Sequence, residues 1–485
     1  IVLKMMVEST TSEMLVNERN NSENDVLGIE VKHRSRGLLK ALCLCFGFGQ
    51  GCVLCFFVGS GGYFTALFSN SRYFIYLCAF FYLPPIAITI FAVLFDQSFN
   101  VTHGVRLALS FRIYFSSGVA IILLACLWVV STIRPTPFLS EGPLVYGLGV
   151  ALGIFGAVML SSICSMFGPL DAKLVPIIIF GQTAAGLYTN IIARAIGFLP
   201  GCEAWIASLY WIIASATLMA IILLFVFCHC RGVFEETFQF NDTLLEPPSP
   251  SRRRERLDER IESRPPRPPA LPQILAFPTI SPMLRGSSLT NVAQLGMRRV
   301  PGSETVNDSL SNSSSLRFPP VCWSMALCQS IAIAMNMSLT PLANQISRGE
   351  ADLTQELVLV KLLSDFVGRT TFFLVIPTPR QGNGHSESGT LHWHAVLVWL
   401  VELIRLPLWT CIFLRAMGWS MLENSALLVW LCWLPLISLG AMSSSWCCVV
   451  AITAARSEQR ANMNLLMTSS IYLGYVIGIL IALFS

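Results

Sequence analysis

The stretch Glu356–Ile376, reading ELVLVKLLSDFVGRTTFFLVI, most constrains what this chain can become. It is apolar and long enough to cross a bilayer, since about 20 helical residues at about 1.5 Å each span roughly 30 Å. Lys361, Asp365 and Arg369 nevertheless lie inside it. Their i, i+4, i+8 spacing places all three within about 80° of one helix face, each in reach of the next. A charge at mid-bilayer costs about 2.5–3.5 kcal/mol on insertion scales, so such a stripe must face partner helices or a water-filled path. With a cation one turn away on each side, Asp365 is expected to stay ionised. Two readings follow. The stripe lines a pathway for a polar solute, or it is a structural ion pair that locks this helix to its neighbours.

The rest of the chain agrees with a membrane setting. Of 485 residues, 54% are hydrophobic and 12% charged, about half the charge of a soluble average. Several apolar runs exceed 18 residues, so the fold class is an all-α polytopic membrane protein. Sixteen cysteines could signal a disulfide framework. Most lie within apolar runs, where Cys behaves as a small hydrophobe. Cys202 falls in a loop with no obvious partner. Cys228-His229-Cys230 closes an apolar run and fits no standard zinc spacing, so no metal site and no cofactor are expected. No cleavable leader is expected either, because the first apolar run starts late and continues too long.

In chain order, residues 1–37 form a polar tail, with Lys32, His33, Arg34 and Arg36 just before the first span. Spans are expected at about 38–58, 73–95, 113–132, 144–167, 173–197 and 204–227. Pro84-Pro85 predicts a kink or break in the second. Asp96, His103, Arg106 and Arg112 are read as a loop. Residues 231–319 change character, with 12 Arg, no Lys and many Pro and Ser. That composition predicts a disordered linker whose basic cluster anchors topology. Five further spans are expected at about 321–344 (broken near Pro341), 356–376, 393–414, 427–453 and 462–484. The third of these holds Glu402, Arg405 and Pro407. The domains read as 1–37 tail, 38–230 six-helix bundle, 231–319 loop and 320–485 five-helix bundle.

Basic residues orient the spans. The N-terminal cluster, the 96–112 segment, the Arg-rich loop and Arg456/Arg460 fall on one side of an eleven-span layout. The N-terminus is therefore expected in the cytoplasm and the C-terminus outside. Asn100-Val101-Thr102 and Asn312-Ser313-Ser314 match the glycosylation pattern but lie on the cytoplasmic side, and are read as chance matches. No nucleic acid is expected as a partner; the lipid bilayer is.

At this point the pattern resembles the equilibrative nucleoside transporter family. Asp365-Phe-Val-Gly368-Arg369 is similar to that family's D-x-x-G-R in its eighth span. Gly181-Gln182-Thr-Ala-Ala-Gly186 resembles its fifth-span G-Q-x-x-A-G, with Phe155-Gly156-Ala157 preceding it in span four. Arg405-Leu406-Pro407-Leu408 resembles an R-x-P-L element of span nine. The resemblance covers most of the chain outside the termini and the long loop, and its strength lies in three motifs in order in the right spans. Some positions depart from the family: Cys52-Val53-Leu54 replaces a common Pro-Trp, Leu160 with Ser161 beside it replaces a polar amide, Leu362 replaces an Asn, and Leu439-Gly440 replaces Asn-Gly.

The resemblance implies a major-facilitator-like fold of six and five helices that rock about a midplane site. The substrate implied is a nucleoside or nucleobase, by facilitated diffusion or with a proton as co-substrate, in the plasma membrane. Asp365, Arg369, Gln182, Asn190 and Ser161 become candidates for the substrate pathway. Asp365 would accept from ribose hydroxyls or hold Arg369, while Arg369 would donate to hydroxyls or a base carbonyl, or stack on the base. Lys361, Gly181, Gly186, Gly368, Glu402, Arg405 and Pro407 become candidates for structure and gating. Phe46, Phe48, Phe180 and Trp446 are candidates to sandwich a base, with packing the favoured role for each. Gln182 also fits an interhelical hydrogen bond at a tight crossing. Two other classes stay open: a major-facilitator carrier of another polar solute such as an amino acid or sugar, and a non-transporting scaffold or receptor. No protease, desaturase or H-E-x-x-H motif points to an enzyme.

Overall fold

The structure, a computed structural model, describes residues 33–61, 63–64, 73–132, 142–198, 203–245, 318–346, 351–376, 387–418, 426–456 and 459–484. Six long helices come first: α1 (His33–Gly59), α2 (Tyr73–His103), α3 (Val105–Thr132), α4 (Pro143–Phe167), α5 (Leu174–Gly197) and α6 (Glu203–Cys230). A short helix, α7 (Glu235–Leu245), follows. Five more complete the chain: α8 (Pro320–Ile346), α9 (Ala351–Val375), α10 (Glu387–Ala416), α11 (Ala426–Ala454) and α12 (Arg460–Phe484). Ten of these helices are long and apolar enough to cross a membrane. The eleventh span is α9, equally long but broken by Glu356, Lys361, Asp365 and Arg369. The protein is an integral multi-pass membrane protein, all-α among the described residues, with eleven spans grouped six and five.

Burial sorts the helices by role. α4 and α11 are largely enclosed, whereas α6 and α10 expose most of their length. The exposed side chains there are Leu, Ile, Phe and Trp, as on Ile212, Leu223 and Phe227 of α6 and Leu400, Leu403 and Ile404 of α10. In water such a surface would be a large apolar patch; against lipid tails it is an ordinary exterior.

Small residues set the close crossings, because lipid gives helices no hydrophobic reason to associate. α1 and α5 touch backbone to backbone: a Cβ at Gly47 would overlap the Ile178 carbonyl, and one at Gly181 would overlap the Leu44 carbonyl. α2 and α4 cross for a different reason. Pro85 lacks an N–H, so the Phe81 carbonyl four residues back has no intrahelical donor. Gly153 of α4 lies directly against that oxygen, where a Cα–H contact compensates part of the loss. Thr89 Oγ1 donates back to the Pro85 carbonyl at 2.9 Å.

Four expectations change. α2 runs unbroken through Pro84-Pro85, because its freed carbonyl has the neighbour just described. The loop expected over 96–112 shrinks to Gly104, at φ 78°, with α2 extending to His103 and α3 starting at Val105. Arg112 makes this possible by donating to Asn100 Oδ1 at 2.6 Å and lying 5.0 Å over Phe99. Asn100 is thereby buried, a poor position for a glycan. α8 continues past Pro341 to Ile346. Within the segment expected to be disordered, Glu235–Leu245 is helical, pinned by Phe234 against Phe225 (5.2 Å between centroids) and Phe46 (5.9 Å). Residues 246–317, with Asn312 and the Arg-Arg-Arg run, lie outside the described residues, as do residues 1–32 and Cys202.

Candidate functional site

α9 brings its charge stripe to the boundary between the first six and last five spans. There it borders a cavity of about 260 Å³ that α1, α2, α5, α6, α8, α9 and α12 all help to line. The cavity extends from the level of Ile179 and Arg369 toward the end of the molecule where α1 and α5 terminate, at Gly59 and Ala193. Below it, Phe180 of α5 stacks on Phe366 of α9 at 4.8 Å and meets Phe373 at 6.0 Å.

The floor of the cavity is a hydrogen-bonded set that joins the two groups of spans. Asp365 Oδ2 accepts from Thr183 Oγ1 of α5 at 2.7 Å. It also accepts from Arg369 Nε at 3.1 Å, one turn along α9. Arg369 Nε donates to Thr183 Oγ1 as well, at 2.8 Å, and Nη1 donates to Ser445 Oγ of α11 at 3.2 Å. The hydroxyl of Thr183 thus gives its proton to the carboxylate and takes one from the guanidinium. α9 can approach α11 closely enough for this because Gly368 lies against the Ser438 carbonyl, where a side chain would overlap.

Lys361 lies one turn from Asp365 on α9, as its spacing predicts, but bonds elsewhere. Its Nζ donates to Thr340 Oγ1 of α8, and it makes no ion pair among the described residues. It lines the cavity one turn above Asp365. Asp365 is therefore balanced by Arg369 on one side, and Lys361 stands as a second cation held by a neutral hydroxyl.

The other sequence candidates divide cleanly. Gln182, Gly186 and Asn190 line the cavity, spaced four apart along one face of α5. Gln182 also donates to Gln50 Oε1 of α1, and Gln50 Nε2 donates to the Gly156 carbonyl at 3.3 Å. Asn190 Oδ1 and the neighbouring Thr189 Oγ1 are buried with no hydrogen-bond partner among the described residues. Ser161 is not brought to the site: it is buried in α4 and returns its hydroxyl to the Val158 carbonyl at 3.0 Å. The aromatic candidates take the favoured packing role. Phe46 packs in the cluster with Phe225 and Phe234, Phe48 against Tyr188, Phe180 beneath the cavity and Trp446 against His394. The cavity's aromatic walls are instead Tyr82, Tyr210 and Tyr475, with Tyr82 and Tyr475 at 4.6 Å between centroids.

Behind the cavity, Glu402 and Arg405 of α10 form a fully enclosed pair. Arg405 Nε donates to the Leu436 carbonyl at 2.8 Å, and Nη2 donates to Asn336 Oδ1 at 2.7 Å and the Ala332 carbonyl at 3.4 Å. Glu402 Oε1 accepts from Ser443 Oγ. Gly440 is required here, because a Cβ would collide with the guanidinium. Pro407 lies within an unbroken α10.

Sequence reading missed Thr183, Ser445, Thr340 and Asn336. For Thr183 a signal existed: it lies seven residues before Asn190 and three before Gly186, on the same helical face. The partners on α8 and α11 carried none.

Among solved structures, the chain is similar to the major facilitator superfamily proton:xylose symporter XylE bound to 6-bromo-6-deoxy-D-glucose. The TM-score is 0.50 at 12% identity, over 90% of this chain and 86% of that one. It is also similar to the human organic anion transporter MFSD10 (TM-score 0.47, 13% identity, 93% of each chain). A bacterial homologue of the human lysosomal transporter Spinster aligns at TM-score 0.39 and 13% identity, over 91% of this chain and 80% of that one. No protein-family model and no curated protein matches the chain. At these identities the first likeness carries the fold alone: the six-plus-five helices have the major facilitator arrangement.

Proposed function

We propose that this protein is a membrane transporter that moves nucleosides or nucleobases by alternating access. The observation that carries the reading is the Thr183–Asp365–Arg369–Ser445 set at the cavity floor. Alternating access needs contacts between the two bundles that break and re-form around a central site. Side-chain hydrogen bonds across α5, α9 and α11 can do that, whereas interlocked backbone crossings cannot. The set uses Asp365 Oδ2 twice and leaves Oδ1 without a partner among the described residues, as an acceptor for ribose hydroxyls. The nucleoside part of the proposal comes from the D-x-x-G-R, G-Q-x-x-A-G and R-x-P-L resemblances, the first two of which supply Asp365, Arg369, Gln182 and Gly186, all bordering this cavity.

With the N-terminus in the cytoplasm, the cavity opens outward and the Phe180–Phe366–Phe373 contact closes the cytoplasmic side. Plasma membrane residence and an external C-terminus belong to the same proposal. So do the absence of catalysis and the choice between facilitated diffusion and proton symport. A different polar solute is the second reading, because Leu54 and Leu362, both departures from the family pattern, lie in the cavity wall.

The test is uptake of labelled adenosine, uridine, hypoxanthine and xylose in cells lacking their own carriers, with Asp365→Asn as control. Saturable nucleoside uptake that vanishes in a surface-resident variant supports the proposal. Xylose uptake without nucleoside uptake replaces it with the second reading, and no uptake of any of the four rejects it.

A further inference from the structure

Asn336 of α8 and Lys361 of α9 present hydrogen-bond donors to the cavity beyond those their neighbours satisfy, and this carries a statement about the substrate. Asn336 lines the cavity, and its Oδ1 accepts from Arg405 Nη2 at 2.7 Å. An amide can be read in two orientations from its shape alone, but a guanidinium only donates, so the oxygen must face Arg405. That leaves the Asn336 Nδ2, with two N–H donors and no partner among the described residues, for the cavity side. Arg405 cannot turn to relax this choice. It is fully buried, bonded to Glu402, the Leu436 carbonyl and the Ala332 carbonyl, and pressed against Gly440.

One turn further along α8, Thr340 receives Lys361 Nζ, at about 6 Å from the Asn336 level by helical rise. An ammonium has three donors and no acceptor, and one of the three is used by Thr340. Among the described residues that line the cavity, the ionisable acids and bases with permanent charge in water are Lys361, Asp365 and Arg369. Asp365 is already paired with Arg369. The cavity therefore presents one cation in excess, beside a fixed amide donor.

We propose that Asn336 and Lys361 form a subsite for a carbonyl oxygen of the substrate base, such as O4 of a 2,4-dioxopyrimidine or O6 of an oxopurine, most strongly when the adjacent ring N–H has lost its proton and the edge carries negative charge. This rests on the nucleoside reading above and narrows it: a base whose edge is an exocyclic amine presents donors to donors and is disfavoured. Arg405 acts through Asn336 as a positioning residue.

The experiment measures Vmax/KM for uridine, cytidine and urate in carrier-deficient cells, normalised to surface protein, in wild type, Asn336→Asp, Lys361→Met and Lys361→Arg. The wild type is expected to prefer uridine over cytidine by about tenfold, the lower end of what one unsatisfied buried donor costs, and to take up urate. Asn336→Asp keeps the bond to Arg405 but turns an acceptor toward the cavity, so the uridine/cytidine ratio should fall to about one or reverse. Lys361→Met should abolish urate uptake and lower uridine uptake by a smaller factor, and Lys361→Arg should restore urate. Where a variant fails to reach the surface, inhibition of wild-type uridine uptake by unlabelled cytidine and urate decides: urate must compete better than cytidine. A wild type that moves all three equally, or variants that lower all three alike, overturns the subsite while leaving the nucleoside reading intact. A wild type that moves none of them rejects the nucleoside reading and this inference with it.

Discussion

Among the described residues, two arginine–carboxylate pairs lie inside membrane-spanning helices, and they are built to opposite ends. Glu402–Arg405 is enclosed on every side, with side-chain exposures of 3% and 0%. Its oxygens and N–H groups end on Ser443, Asn336 and two carbonyls of the same five-helix group. Asp365–Arg369 is 19% and 9% exposed, borders the cavity, and reaches Thr183 in the other group of spans. Removing a charge from water costs several kcal/mol in either place, and the cost is recovered only where the remaining lone pairs and protons find partners. The α10 pair recovers it locally and becomes scaffold. The α9 pair recovers it across the boundary between the two groups of spans, which the proposed transport cycle would open, and one carboxylate oxygen is left over. On that proposal, a charge pair in a membrane marks a site when its bonding is incomplete and shared between the two groups.

The contrast can be broken by mutation. The largest effect belongs to the enclosed pair. Arg405→Leu strands Glu402 in a dry core, which costs about 3–5 kcal/mol. Most of the protein should be lost before reaching the surface, as read by size-exclusion of the detergent extract. Normal yield and thermal stability would show that the pair is dispensable.

Asp365→Asn should do the reverse: near-normal surface level with uptake lowered by about ten- to a hundredfold, from one charged hydrogen bond worth about 1.5–3 kcal/mol. If its surface level instead falls as far as that of Arg405→Leu, the two pairs play the same structural role. Thiol chemistry offers a smaller, graded readout. Cys55 lines the cavity, whereas Cys43 and Cys448 are buried elsewhere. A membrane-impermeant thiol reagent added outside should block most uptake, substrate should slow the block, and Cys55→Ser should remove it. Inhibition that persists in Cys55→Ser would place the accessible path elsewhere. The smallest effect is expected for Ser161→Ala. That hydroxyl only returns to its own helix, so uptake and stability should stay within about 0.5 kcal/mol of wild type.

Much of this was legible in the sequence, for identifiable reasons. Span positions follow from apolar length: nine of the eleven come within about six residues of the helices observed, while α2 and α3 each run eight residues further into the expected loop. The stripe Lys361–Asp365–Arg369 was legible because charge inside an apolar helix admits few explanations. What stayed hidden needed a second helix to be known. Lys361 turning to Thr340 instead of Asp365 depends on where α8 passes. The helical path through Pro84-Pro85 depends on Gly153 meeting the Phe81 carbonyl. The aromatic lining was not legible because aromatic residues are spread over every face of these helices, so spacing cannot separate cavity from packing. Tyr82 and Tyr475 line the cavity from α2 and α12, and no local pattern in either helix distinguishes them.

The measurement that tests the central claim most directly is counterflow in proteoliposomes. Purified protein is reconstituted, the vesicles are loaded with unlabelled uridine or adenosine, and entry of the labelled form is followed. An alternating-access carrier with its site at the Asp365 level gives saturable entry, accelerated several-fold by internal substrate and absent with Asp365→Asn. Entry that is linear in concentration, or no faster than in protein-free vesicles, would contradict the account.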